Sequence, residues 1–348
     1  MGIEADRQAI ISLPIDVEML HSLRETARLA ATHYSTQIEG NRLTQIQVQE
    51  TLAGARFPGR ERDAKEVRNY YRAMEEVERI AQHSGPISED EIRHIHGLVL
   101  EGRSFSSQYR DGQNVIRDSI SGSIIYLPPE APDVPGLMQD LFAWINQALG
   151  RDELPIPVIA ALTHYQYATI HPYYDGNGRT ARLLTTLLLH RSGYGLKGIY
   201  NLEEYYAGNL TGYYTALDAG VSHNYYFGRS EADVTDFVQY FCFGMRYSFA
   251  AVRAQAGEAA RRGMSDRSPL LRQLDPRQRQ LLVLFRGQVT VTTAEIAAHL
   301  GLSQRTVVAL CRAWLVEGFL MLRDPSRKKR SYQLSPKLEQ LVVDGTPE

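Results

Sequence analysis

Twelve consecutive residues, His171-Pro172-Tyr173-Tyr174-Asp175-Gly176-Asn177-Gly178-Arg179-Thr180-Ala181-Arg182, bring together an imidazole, a carboxylate, two glycines, an amide and two guanidiniums. Asx-Gly steps favour tight turns and positive φ, so the Asp-Gly-Asn-Gly core cannot continue a helix. An apolar, helix-like run (Val158 to Ile170) precedes the stretch and another (Ala181 to Leu189) follows it. The spacing therefore predicts a helix–loop–helix in which a compact loop opens onto the N-terminus of the second helix.

Glycine-loop N–H groups and the first turn of a helix form an anion site, reinforced by the helix dipole. Arg179 and Arg182 lie three apart and project from nearly one face of that turn. Asp175 is a hard oxygen ligand beside the anion site, suited to Mg²⁺ bridging phosphates. His171, at the loop entrance, could take a proton from an incoming hydroxyl. Phosphate cradle, metal ligand and general base together point to phosphoryl or nucleotidyl transfer. The stretch lacks the Gly-Lys-Ser/Thr of a P-loop, and no strand precedes it as a dinucleotide fingerprint requires.

The stretch resembles the Fic family signature, His-Pro-Phe-x-Asp/Glu-Gly-Asn-Gly-Arg-x-x-Arg, with Tyr173 in place of the usual Phe. In the family that position anchors the loop in the core, and Tyr is a mild change if its hydroxyl finds a partner. The resemblance implies an AMP transferase. Asp175 would hold Mg²⁺ (or Mn²⁺), and the loop at Gly176, Asn177 and Gly178 would stabilise charge on the α-phosphate of ATP. Arg179 and Arg182 would hold the outer phosphates, with Arg182 on the γ. His171 would accept the proton of a Tyr, Thr or Ser hydroxyl on a target protein, or on the chain itself.

The elements that must position this loop come earlier and later in the chain. Asp16 to Ala31 has helical spacing, and His33 to Asn41 follows it. There Thr36-x-x-Glu39 fits a capping box, and Gly40-Asn41 fits a helix stop. The family resemblance adds a second reading. Ser35-Thr36-Gln37-Ile38-Glu39-Gly40 resembles the family's inhibitory pattern, Ser/Thr-x-x-x-Glu-Gly/Asn. In that reading Glu39 pairs with Arg182, takes the guanidinium meant for the γ-phosphate, and leaves the enzyme self-inhibited.

Glu61 to Gln82 is an amphipathic pattern. Ser88-Glu89-Asp90-Glu91 caps a helix from Ile92 to Leu100, on which His94 and His96 face different sides. Gln113 to Ile116 and Ile124 to Leu127 are β-prone runs ended by Pro128-Pro129, the pattern of a hairpin. It reads as a surface decoration or, by the resemblance, as the flap that holds a target by strand pairing, with Ile116, Ile124 and Tyr126 as docking residues. Helices are expected over Leu137 to Leu149, Pro157 to Ile170 and about Glu231 to Ala260. Asn209 to Leu217 resembles the family helix that closes the nucleotide pocket. Tyr205, Tyr206 and Tyr213, with Asn209, would pack near adenine, although tyrosines at helical spacing also build cores.

The chain has 348 residues and a net charge of −2. From Asp266 onward there are 13 Lys/Arg against 8 Asp/Glu, a net +5 that leaves the remainder at −7. A basic tail on an acidic body places any nucleic-acid contact at the C-terminal end. There, helices over Pro276 to Phe285, Thr293 to His299 and Gln304 to Val316, with strands at Phe319 to Leu322 and Ser331 to Leu334, resemble a winged helix. Arg305, Arg312, Arg327, Lys328, Lys329 and Arg330 would contact DNA, if this module binds DNA rather than protein.

The expected fold is mainly α: a Fic-type helical core with a small β-hairpin flap, then a winged helix-turn-helix domain. The expected boundaries are 1–110 for an N-terminal helical region carrying the inhibitory helix at about 33–41, 111–256 for the catalytic core, 257–269 for a linker, and 270–348 for the winged helix. Two distant cysteines, no signal peptide and no membrane-length apolar run suggest a cytoplasmic protein without a membrane partner. Three alternatives stay open: AMP removal, alone or in a bifunctional enzyme; a nucleotide-sensing, DNA-binding transcription regulator; and a toxin-like module checked by its own helix. Homodimerisation is also open.

Overall fold

The computed structural model describes residues 2–13, 15, 17–101, 107–117, 124–151, 153–220, 222–262, 274–324, 326, 330–339 and 342. It divides into two compact units, Met1–Arg261 and Arg262–Glu348. No described helix is long and apolar enough to cross a membrane.

The first unit is helical around one central helix. Its helices are α1 (Gly2–Ser12), α2 (Val17–Ile38), α3 (Gln45–Leu52), α4 (Glu61–Ile80), α5 (Glu89–Glu101), α6 (Val134–Arg151), α7 (Ile156–Ile170), α8 (Asn177–Arg191), α9 (Glu203–Gly208), α10 (Leu210–Leu217) and α11 (Thr235–Arg262). Helix α8 buries twelve of its fifteen residues, among them Arg179 and Arg182, and is wrapped by α7, α4 and α5. Helix α4 needs only one apolar stripe, Val67, Tyr70, Met74, Val77 and Ile80, all buried. One core joins all of these helices but α3, which packs with Leu43 and Val67 in a small cluster of its own, so the expected 1–110 and 111–256 regions share the main core.

Helix α2 differs from expectation. It runs unbroken through Thr36, whose hydroxyl donates back to Thr32 O (2.8 Å) and His33 O (3.0 Å). The Thr36-x-x-Glu39 capping box therefore does not form, because the helix is ending there and not starting. The stop is Gly40, at φ 91°. Helix α1 carried no clear pattern in the sequence, and α11 extends through the first part of the expected linker. The rest of that linker, 263–269, lies outside the described residues.

The hairpin pairs β1 (Ile116–Arg117) with β2 (Ile124–Tyr126) in antiparallel register, Ile116 opposite Tyr126, with an irregularity at Ile116/Arg117.

The second unit holds α12 (Pro276–Gly287), β3 (Val291–Thr292), α13 (Thr293–Leu300), α14 (Gln304–Val316), β4 (Leu320–Asp324), β5 (Ser331–Leu334) and α15 (Pro336–Glu339). Its sheet is antiparallel in the order β3-β5-β4. Asp275, Thr292 and Ser303 cap its three longer helices, and Gly301 (φ 63°) turns the chain between α13 and α14. Trp314, Cys311, Tyr332 and Phe319 centre a separate core. Strand β3 was not expected, being too short for a period-two pattern to register.

Candidate active site

Helix α7 ends at His171, whose N–H still donates to Tyr167 O (3.1 Å) while its backbone turns left-handed (φ 52°, ψ 59°). Pro172 disfavours a right-handed helical backbone at the residue before it, which ends the helix. A side chain in this conformation costs roughly 1–2 kcal/mol, so neighbours must hold it. The half-buried imidazole has Nδ1 3.4 Å from Ala168 O. A carbonyl only accepts, so Nδ1 carries the proton and Nε2 the free lone pair. Burial pushes the His171 pKa down to about 4, which leaves the ring a neutral acceptor at neutral pH.

The loop closes on itself. Tyr173 N–H donates to Asn177 Oδ1 (2.9 Å), and Asn177 Nδ2 donates back to Tyr173 O (2.7 Å). The Asn177 amide is thus occupied in bracing the loop, and only its backbone N–H remains to meet an anion. Gly176 (φ 77°) caps the start of α8. Asp175 is exposed; its Oδ1 accepts from Gly176 N (2.6 Å) and from Arg179 Nη2 (2.9 Å). Arg179 is buried, and its Nε has no hydrogen-bond partner.

Arg182 lies fully inside. Its Nε donates to Ser35 Oγ (2.7 Å), and its Nη2 donates to Ser35 O (3.0 Å) and to Glu39 Oε1 (2.8 Å). Burial alone would lower its pKa, but the Glu39 charge overrides this and raises it. Glu39 also rests on the first turn of α8: a Cβ at Gly178 would stand 2.4 Å from Glu39 Oε1. Glycine at 178 is what lets the carboxylate reach this anion-favouring helix end.

The structure thus brings His171, Asp175, Gly176, Asn177, Gly178, Arg179 and Arg182 around one helix N-terminus, with Ser35 and Glu39 against the last. The other expected residues divide. Ile124 is half exposed on the hairpin, and Ile116 is partly covered. Tyr126 is turned inward, buried, with its hydroxyl donating to Thr169 O (2.8 Å), so its side chain anchors the hairpin and offers nothing to a target. Tyr206 and Tyr213 are core residues, their rings stacked at 4.8 Å, and no open face is left for adenine. Tyr205 packs on Tyr240 and Tyr247, and Asn209 caps α10 by accepting from Gly212 N (3.0 Å). The more exposed ring of this segment is Tyr214, beside Ile38 O at 3.5 Å. In the second unit Arg305 and Arg312 are exposed on α14 and Arg330 is half-buried; Arg327, Lys328 and Lys329 lie outside the described residues.

The role of His96 in the site escaped the sequence reading. His96 stacks on Tyr173 (3.5 Å, 10°), and its Nε2 donates to Asp175 O (2.9 Å). It supports the loop from α5, a contact across 79 residues that no local pattern announces.

Mg²⁺ keeps several waters and takes one or two carboxylates plus substrate phosphates. Among the described residues no group of three or more His, Cys, Asp or Glu could hold a metal ion. Asp175, exposed and next to the first turn of α8, is the carboxylate that could take a cation arriving with a nucleotide.

Four imidazoles here and nearby are held neutral by burial: pKa values are pushed down to about 4 for His96, His171 and His190, and about 3 for His164. The unfolded chain protonates them near ~6.5. Between these values the unfolded state binds more protons, so stability is lost as pH falls through this window. Thermal denaturation from about pH 7.5 to 5 is expected to show a falling Tm below ~6.5. A flat profile would refute buried, neutral imidazoles.

Residues 86–189 match the family model described as Fic/DOC family. The chain is 31% identical over 202 residues to a protein adenylyltransferase Fic of Nematostella vectensis, covering 55% of this chain and 44% of that protein. It is 29% identical over 201 residues to one from Drosophila willistoni, covering 56% and 38%. The chain thus spans less than half the length of these relatives. Among solved structures, a Fic family protein from Desulfovibrio desulfuricans G20 superposes with a TM-score of 0.57 at 25% identity, covering 96% of this chain and 95% of that one. A Fic domain containing signaling protein from Bacteroides thetaiotaomicron gives 0.64 at 25% identity, covering 75% and 97%. With the loop geometry, the match at 86–189 and a like fold over nearly the whole length, residues 86–189 form a Fic/DOC family domain.

Proposed function

We propose that the protein moves AMP from ATP to a hydroxyl side chain of a target protein or of itself, and that Glu39 restrains it. The observation that carries this is the Glu39 carboxylate paired with Arg182 and seated against the first turn of α8, which follows the loop whose His171 keeps Nε2 free. The target hydroxyl oxygen attacks the α-phosphorus, its proton passes to His171 Nε2, and the bond to the departing pyrophosphate breaks with its electron pair on that oxygen. Backbone N–H groups at 176–178 meet the charge that develops on the α-phosphate. Arg179 and Arg182 hold the outer phosphates, and the hairpin edge near Ile124 pairs with the target backbone. Asp175 would hold Mg²⁺, which supplies charge neutralisation and orientation of the phosphates.

The test is intact mass of the Glu39→Gly protein after incubation with ATP and Mg²⁺, beside a lysate labelled with ATP carrying the label on its adenosine. An AMP adduct on a hydroxyl side chain, in either sample, is the expected result. Absence of adduct in both would sink AMP transfer. Sequence-specific DNA retention by the full chain would then favour the regulator, with exposed Arg305 and Arg312 as the contacts.

A further inference from the structure

Between the end of α7 and the catalytic loop, every second main-chain carbonyl is taken by a side chain from the hairpin segment. Tyr126 Oη donates to Thr169 O (2.8 Å), Arg110 Nε to His171 O (3.0 Å), and Asn114 Nδ2 to Tyr173 O (3.2 Å). Arg110 carries the middle contact and several more. Its Nη1 donates to Gly112 O (3.1 Å), its Nη2 to Pro129 O, and its own N–H to Pro172 O (3.0 Å). The residue is 3% exposed, and carbonyls, with no carboxylate, are its hydrogen-bond partners.

A buried guanidinium satisfied only by backbone dipoles is an expensive group, and its burial pushes its own pKa down. What it accomplishes is geometric. On the loop the guanidinium grips His171 O through Nε, and the residue's main-chain N–H holds the next carbonyl, Pro172 O. Its contacts at Gly112 and Pro129 grip the lead into β1 and the exit from β2. Only the planar fork of Arg reaches the His171, Gly112 and Pro129 carbonyls at once.

We infer that Arg110 is a positioning residue for the transfer reaction, holding His171 in its left-handed backbone and fixing the hairpin in register with the imidazole. The inference rests on the AMP-transfer reading for its role, but not for its geometry. A target strand on the hairpin then meets the base at a set distance, because the same side chain fastens both. Arg110 does not touch the phosphate cradle, so it acts on the alignment of the attacking hydroxyl and not on ATP. The charges facing His171 are Glu39 from α2 and Asp175 from the loop, which favour the imidazolium, and Arg110, which disfavours it.

The experiment compares Arg110→Met and Arg110→Lys in the full-length Glu39→Gly protein. Both variants are expected to lose roughly 10- to 100-fold in kcat, the scale of an ångström-sized misalignment, with KM for ATP unchanged. Lysine keeps the charge but not the fork, so it should rescue little of the rate. NMR titration should show the His171 pKa rising in Arg110→Met and staying nearer the parent value in Arg110→Lys. Transfer at the parent rate in both variants would overturn the inference. So would equal losses in kcat and ATP binding that follow the unfolded fraction. If the Glu39→Gly parent itself transfers no AMP, the functional reading fails on its own. The positioning role is then decided by whether the His171 Cα and Cβ shifts leave their left-handed values in both variants.

Discussion

His171→Ala is expected to lower AMP transfer by about 10²- to 10⁴-fold, the contribution of a positioned general base. No neighbouring imidazole can substitute. His96 has its Nε2 committed to Asp175 O, and His164 is buried with one nitrogen on Thr185 Oγ1 and the other on Tyr213 Oη. The phosphate-binding groups are untouched, so ATP affinity should hold. Folding should hold as well, since the imidazole makes a single long hydrogen bond, 3.4 Å to Ala168 O. Initial rates, ATP binding and Tm measured together in the Glu39→Gly background separate these effects. The pH profile adds a second check. Protonation of His171 removes the acceptor, so the rate falls as pH drops through its pKa. With that pKa near 4 the rate should stay flat through pH ~6.5, where an ordinary histidine would already be half protonated. Retained transfer in His171→Ala, or an acid limb centred at the ordinary histidine value, would remove the proposed base.

What the sequence disclosed follows the range over which each constraint acts. The motif loop was legible because its causes are local: proline after His171, Asx-Gly steps, then a run of leucines. Helix limits with local caps, such as Ser303 before α14 and Gly301 after α13, were legible for the same reason. His96 and Arg110 were not, because each acts on a segment more than sixty residues away through a backbone carbonyl, which has no sequence signature. Tyr206 and Tyr213 show a different limit. Their spacing says that they share a side of the chain, but not whether core or nucleotide covers that side, and here the rings of His164 and Tyr240 pack on both. Thr36-x-x-Glu39 shows a third. The same four residues can begin a helix or end one, and the upstream run decided the matter by continuing through them.

Glu39→Gly has the opposite sign for rate and for stability, and this pairing is what makes it informative. The carboxylate neutralises a guanidinium whose side chain is 1% exposed, but is itself 29% exposed. Breaking a fully buried pair costs ~3–5 kcal/mol. Partial exposure of Glu39 and the two hydrogen bonds that Arg182 keeps to Ser35 reduce this to roughly 1–3 kcal/mol. The ATP-free variant should therefore melt lower than wild type. The same loss frees Arg182 and uncovers the first turn of α8 at Gly178, so transfer should rise by at least about tenfold, the rate equivalent of 1.4 kcal/mol. Glu39→Gln, which keeps the shape and one acceptor without the charge, should fall between the two. ATP with Mg²⁺ should then stabilise Glu39→Gly more than wild type, because in wild type the γ-phosphate must first displace the carboxylate. At a hundred times Kd the gain is about 2.7 kcal/mol, enough to offset the lost pair. A lower Tm without faster transfer would make the Glu39–Arg182 pair a structural contact only. Faster transfer with no ATP-dependent recovery of Tm would mean that Glu39 restrains a step other than nucleotide seating.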